Sequence, residues 1–323
     1  MRIVYDGKMG EKELRSVFRE TLKDLVETDP TIVYFDADLM GCMGTGPWAK
    51  ANPDRAFNCG IAEANMVGIA SGMASEGFRP ILHTFGPFAS RRCYDQLFLS
   101  AGYAGNDITV VGGDPGACAA LNGGTHMPFE DTALFRLIPG STVVEATDCT
   151  VLESVLRQAP YLPGVKYIRT DRKLVKPVYE AGSRITIGKG IAVREGCDVT
   201  IVASGIMVQE ALDAAAVLHD DGLEAAVIDM FTIKPLDHEL LLKYAARTGA
   251  VVVAENHNRI GGLCSAVSDA LLENGVYAAT EYVAVFERFG EVGTREYLQK
   301  VCGLTAGDIV LKAKKAVSRK SLK

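Results

Sequence analysis

Three short segments concentrate the residue types that proton transfer and ring binding require. The first is NCGIAEANMVGIASGMASEGFRP, in which one acid, Glu63, opens an otherwise small and apolar helical stretch. An acid at that place complements the positive end of a helix dipole. Among Ile61, Met66 and Val67 it also meets the conditions for a raised carboxyl pKa, because burial disfavours the charged form. A carboxyl kept protonated can donate to a heterocyclic nitrogen. The segment alone leaves both readings open. The second segment is HTFGPFASRRCYDQ, where Phe85 and Phe88 stand three apart and Arg91 and Arg92 follow. Aromatic residues before a helix pack into cores, and they also form flat apolar slots for a ring. The third, GGDPGACAALNGGTHMPFED, is a long glycine-rich connection after a strand-like run. In an open parallel sheet such loops gather at the carboxyl ends of strands, where ligands bind. His126, near its end, is either structural or a proton-transfer group. Arg169, in KYIRTD, ends another strand-like run, and Arg15 lies in the first helical stretch. Each is a surface arginine or a fork of donors for an anion.

Alternating strands and helices must position these residues. TIVYFDADL, DITVVGG, STVVEATD and VKYIRTD are short, apolar and β-branched, and helical patterns lie between them. In the first helix Leu14, Val17, Phe18, Thr21, Leu22 and Leu25 share one face, at the spacing of an amphipathic helix. The alternation predicts an α/β fold whose mainly parallel sheets are flanked by helices. It breaks at DRKLVKPVYEAGSRITIGKG, rich in charge, proline and glycine, and then resumes. The predicted organisation is a first domain over 1–172, a linker over 173–190 and a second, smaller α/β domain over 191–323.

Composition excludes several classes. A net charge of −6, with no basic run before the final dozen residues, argues against a nucleic-acid surface. The tail KAKKAVSRKSLK reads as a solvated, fraying terminal helix. The polar, charged start is no signal peptide, and no apolar stretch approaches a membrane span. The eight cysteines form no CxxC pair, so neither a metal site nor a dithiol motif is expected. Reduced thiols and a cytoplasmic location are the expectation.

Taken in order, the segments resemble the second half of transketolase, over nearly the whole chain. The resemblance implies a pyrimidine-binding domain followed by the transketolase C-terminal domain. It also implies thiamine diphosphate-dependent transfer of a two-carbon ketol unit from a ketose to an aldose. In that family the acid of the GIAE-like segment activates the cofactor through its aminopyrimidine ring, and here it maps to Glu63. The aromatic pocket maps to Phe85, Phe88 and Arg91, an arginine replacing the third aromatic. Asp38, in DADL, matches a family aspartate near the cofactor. The motif around the reacting carbonyl is matched by Asn122, Gly123, Gly124, Thr125, His126 and Pro128. His126 thereby inherits a substrate-polarising or proton-transfer role. Arg15 and Arg169 match the arginines of the substrate phosphate site.

Departures from the pattern fall on the sugar. A family Asp is Asn122, a phosphate-binding His aligns with Asp114, and a Ser aligns with Cys42. An acid about 4 Å from a phosphate dianion costs on the order of several kcal/mol at intermediate dielectric. Either the loop shifts, or the ketose is unusual; a branched or modified sugar, or one with a different anionic end, is the expectation. The GDG motif and later Asn that hold Mg²⁺ and the diphosphate in the family are not found; the nearest string is DDG at 220–222. A partner subunit carrying GDG…N is expected to bring the metal and diphosphate, in a heterotetramer with two copies of each subunit. In AENHNRIGGLCSAV, His257 and two glycines read as a strand-to-helix turn or an anion-binding turn. The competing readings are the beta subunit of a 2-oxo-acid dehydrogenase, a deoxyxylulose-phosphate synthase-like activity suggested by RRCYDQ, and a non-catalytic partner subunit.

Overall fold

In a computed structural model, described over residues 1–320, two sheets flanked by helices stand side by side. The first contains β1 (Ile32–Asp36), β2 (Ala56–Asn58), β3 (Arg79–Phe85), β4 (Ile108–Gly113), β5 (Thr142–Glu145) and β6 (Val165–Thr170). These six run parallel, in the order β5-β6-β4-β3-β1-β2. Every residue of β1, β4, β5 and β6 is buried, as a parallel sheet covered on both faces requires, and the charged residues among them are buried too. The helix Leu14–Thr28 buries Leu14, Val17, Phe18, Thr21, Leu22, Leu25 and Val26, the face its spacing predicts.

The chain passes from β1 to β2 on one side, then returns to β3 and β4 on the other. This reversal creates a crevice at the carboxyl ends of the strands, the usual ligand position in such sheets. Asp38, Phe85 and Asp114 lie at or just beyond the ends of β1, β3 and β4, and the helix Glu63–Ser75 starts shortly after β2. The end of β4 needs glycine for contact. A Cβ at Gly112 would stand 2.2 Å from the Tyr167 hydroxyl.

The second sheet holds β7 (Ile191–Arg194), β8 (Val199–Ala203), β9 (Ala225–Asp229), β11 (Ala250–Asn258) and β12 (Ala279–Val285). Its order is β12-β11-β8-β9-β7, with only β7 antiparallel to its neighbour. The remaining strand, β10 (Thr232–Lys234), leaves this unit and pairs antiparallel with β5 at the edge of the first sheet. The stretch over 173–190 is packed rather than free: Val175, Val178, Tyr179 and Ile185 are buried. Residues 321–323, the end of the basic tail, lie outside the described residues, and the helix Ala306–Lys320 accounts for the rest of it. Among the described residues no helix is long and apolar enough to cross a membrane, and no acid–thiol–imidazole cluster has metal-binding geometry.

Candidate active site

Glu63 is the first residue of its helix and is 1% exposed. Its Oε1 accepts a hydrogen bond from Arg92 Nη1 at 2.7 Å, while Oε2 is buried with no partner. Its surroundings are less uniformly apolar than the sequence suggests. Met66 and Val67 are buried, but Ile61 is exposed and Arg92 brings a charge. The Arg92 guanidinium also lies over the Phe88 ring, 3.9 Å from its centroid. A cation over an aromatic face is held by the ring quadrupole, so Arg92 is fixed between Phe88 and Glu63. Burial, and next the nearby Glu63 charge, push the neighbouring Cys93 thiol up to about 12, which keeps it an inert core group.

Phe85 ends β3 and Phe88 lies in the short turn after it, their rings 6.3 Å apart and tilted by 46°. The His126 ring meets both edge-on, at 5.1 Å from Phe88 and 5.8 Å from Phe85. Thr125 Oγ1 is 2.9 Å from His126 Nδ1, which leaves Nε2 as the free ring nitrogen. Asp38 and Asn58 exchange hydrogen bonds of 3.1 and 3.0 Å, and Asn58 also accepts from the Gly60 N–H. Asp38 thereby ties the end of β1 to the turn that leads into Glu63. Asp38, Asp114 and Ala120 are three of the four non-glycine residues with positive φ among those described. Such strain gathers where a fold over-determines a site.

Several residues stand elsewhere than the sequence predicts. Arg91, expected to complete the aromatic slot, pairs with Glu130 at 2.9 Å on the surface; Arg92, one residue on, does the stacking. Arg169, expected to hold a substrate anion, is wholly buried. Its Nε donates to Asp131 at 2.8 Å, its Nη1 to Glu145 at 2.7 Å and its Nη2 to the carbonyls of Pro128 and Asn256, so all three of its nitrogens are held by protein. Asp114, expected to repel a phosphate, is buried and paired in bidentate fashion with Arg172, with Nε–Oδ1 at 2.7 Å. Burial pushes its carboxyl up against the opposing pull of Arg172. Arg172 also lies 4.9 Å from the Phe85 ring centroid. Arg15 pairs with Glu13 at 2.6 Å and, with Arg172, lines a cavity of about 680 Å³. Asn122 is exposed on the loop, and Cys42 is partly buried.

Sequence reasoning missed Arg92 and Arg172, although the RR and DR pairs signalled an extra arginine at each place. It also missed Asn256, which clamps the site loop from the second unit. Asn256 Oδ1 accepts from Ala117 N–H at 2.9 Å, and its Nδ2 donates to the Pro115 carbonyl at 2.9 Å. A Cβ on Gly116 would stand 2.3 Å from Asn256 Oδ1, so the loop has glycine there. The neighbouring Glu255 accepts from the N–H groups of Leu263 and Cys264, capping the helix Leu263–Glu273. His257 is buried beside Asp131, so this turn is an internal joint and not an open anion site.

An acid, two aromatic rings and a histidine thus stand at or follow the carboxyl ends of strands in a parallel sheet, in the connections beside its reversal crevice. The chain belongs to the transketolase family, whose members depend on thiamine diphosphate. Residues 11–177 match the transketolase pyrimidine binding domain, and residues 188–309 match the transketolase C-terminal domain. The chain is 43% identical over 319 residues to the 6-deoxy-6-sulfo-D-fructose transketolase subunit SqwH of Clostridium sp. (strain MSTE9), covering 99% of each. It is 33% identical over 263 residues to one of the subunits of the apulose-4-phosphate transketolase of Phocaeicola vulgatus, covering 81% of this chain and 84% of that one. Among solved structures, a split gene transketolase described as an inactive beta4 tetramer superposes with a TM-score of 0.88 at 38% identity. That match covers 96% of this chain and 100% of the other. The residues present fit the pyrimidine end of the cofactor, because Glu63 Oε2 is a buried acceptor without a partner and its other oxygen holds the arginine that stacks on Phe88.

Proposed function

We propose that the chain supplies the pyrimidine-facing half of the active site of a split transketolase. That enzyme moves a two-carbon ketol unit from a ketose with an anionic far end to an aldose. The observation that carries this reading is the buried, unpartnered Glu63 Oε2, whose sister oxygen is tied through Arg92 to the Phe88 ring that His126 meets. Thiamine diphosphate supplies, when bound, the carbon nucleophile for the ketose carbonyl. Glu63 Oε2 holds the proton at the pyrimidine ring nitrogen, Phe85 and Phe88 give the ring its apolar slot, and Arg92 fixes the carboxylate from its other oxygen. His126 offers its free Nε2 to the substrate oxygens and moves a proton there. A partner subunit with the GDG…N motif supplies the diphosphate and Mg²⁺ site, in a cytoplasmic heterotetramer.

The ketose in this reading is not the standard one. Two similar proteins are named for a sulfonated ketose and for apulose 4-phosphate. Asn122 and Cys42 put departures of this chain on the sugar side, whereas Asp114, paired with Arg172, does not oppose a phosphate there. The test is reconstitution with the GDG-bearing subunit, followed by a donor panel of 6-deoxy-6-sulfo-D-fructose, apulose 4-phosphate and xylulose 5-phosphate. One of the first two is expected to give the highest kcat/KM. Full activity on xylulose 5-phosphate alone would overturn the substrate reading, and no transfer with any donor would overturn the reaction.

A further inference from the structure

The cavity of about 680 Å³ lies between the two units, and its wall carries an arginine from the second one, Arg295, together with Arg15 and Arg172 from the first. Each of the three is braced by a carboxylate: Arg15 by Glu13, Arg172 by Asp114 and Arg295 by Asp171. Asp171 is itself buried and accepts from the backbone N–H groups of Arg172 and Lys173, so it fixes both arginines at once. Bracing leaves donors over. Among the described residues, hydrogen bonds to protein engage only Nε of Arg15, Nε and Nη2 of Arg172, and Nη2 of Arg295. Arginines held from behind, with unpaired N–H groups in front, suit an oxyanion with several equivalent oxygens.

The acids on the wall have partners of their own, and the one acting on Arg295 from solvent is Glu296. Glu13 is paired with Arg15, and Glu296 is exposed. Glu210 accepts from Gln299 at 3.2 Å and from the Ala306 N–H at 2.8 Å. The cavity also adjoins the reacting end of the site. Arg172 lies against the Phe85 ring, whose edge meets His126, and Ala120 and Leu121 of the His126 loop line the cavity. In the family an arginine site holds the substrate's anionic end, and Arg15 matches it; we infer that Arg295 of the C-terminal domain joins that site as a further, specificity-determining residue for a tetrahedral oxyanion, phosphate or sulfonate. The inference rests on the ketol-transfer reading above, and it gives the C-terminal domain a share in substrate choice as well as in assembly.

Two measurements test it. In the reconstituted complex, Arg295→Gln is expected to raise KM for the anionic ketose about tenfold or more with kcat little changed, and Arg295→Lys to recover part of the loss. Turnover of erythrulose, whose far end is uncharged, is expected to stay within about twofold, because the lost donors serve only the charged end. Equal losses on both donors, or no loss on either, would overturn the proposal. In the chain alone, calorimetry with inorganic phosphate and with ethanesulfonate is expected to show binding that Arg295→Gln weakens, and the tighter arm identifies the preferred anion. Anion binding that requires Arg295, without ketol transfer by the complex, would retain the pocket and refute the reaction. Ketol transfer insensitive to Arg295 would do the reverse.

Discussion

Arg92 and Glu63 form an ion pair in which only one carboxylate oxygen is engaged, at 2.7 Å, while the other is buried and bare. Twenty-nine positions separate them, and the helix start and the turn after β3 bring them together. The pair divides the acid into a fixed end and a working end.

Replacing the working end follows first. Glu63→Gln keeps size and packing but removes the acid, so kcat of the reconstituted complex is expected to fall about 10²–10⁴-fold, the usual range for a lost general acid–base group. The thermal transition of the chain alone should move little. Unchanged turnover would instead make the chain a non-catalytic partner.

Replacing the fixed end acts on stability. Arg92→Leu leaves a carboxylate buried without its counter-charge and removes the stacking on Phe88. Because Arg92 is partly exposed, a loss of about 1–2 kcal/mol is expected, measurable by urea denaturation of the chain alone. Arg92→Lys restores the charge without the planar stack and should recover only part.

Arg169 separates a substrate anchor from a structural one. Arg169→Met would leave Asp131 and Glu145 buried without their cation, an expected cost of about 3–5 kcal/mol. Its signature is a lower denaturation midpoint. A selective rise in KM with stability intact would restore the role that the sequence suggests.

Lys166 offers a pH test. Its ammonium is buried with no hydrogen-bond partner, and burial lowers its pKa to about 8. Between about 8 and the unfolded value near 10.5, the unfolded chain holds a proton that the folded chain has released. Stability is therefore expected to rise with pH across that window, as far as this group is concerned. Lys166→Met should flatten the rise and stabilise the chain at pH 7 by about 1–3 kcal/mol. Denaturation midpoints of both proteins from pH 7 to 10.5 would check this.

Asn256→Ala removes the side-chain bonds to Ala117, Pro115 and Cys118 that clamp the Pro115–Cys118 turn from the second unit. Hydrogen exchange at the Ala117 amide should quicken by about tenfold or more, and KM for the ketose should rise, since the loop leading to His126 loses its clamp.

Local pattern carries most of the fold. The alternating runs give the strands, the spacing of Leu14 to Leu25 gives the buried helix face, and Glu63 and the Phe85–Phe88 pair stand out by residue type alone. Arginine roles are less legible, because they depend on partners far along the chain. Arg169 meets Asp131 from 38 positions away, and Arg172 meets Asp114 from 58. Nothing near either arginine states which one faces inward. Arg91 and Arg92 pose the same problem at adjacent positions, where one residue of turn decides between Glu130 and Glu63. The charge, proline and glycine in 173–190 suggest a tether, yet four apolar residues among them are enough to pin it down.

The strand Thr232–Lys234 makes the two units interdependent in manufacture as well as in shape. A fragment ending near residue 190 would lack the strip that covers β5, leaving a row of bare peptide groups on an otherwise apolar sheet. Such a margin recruits stray strands from other molecules. Dissection of this protein into its parts should therefore yield aggregates unless Thr232–Lys234 is supplied in trans or grafted onto the fragment.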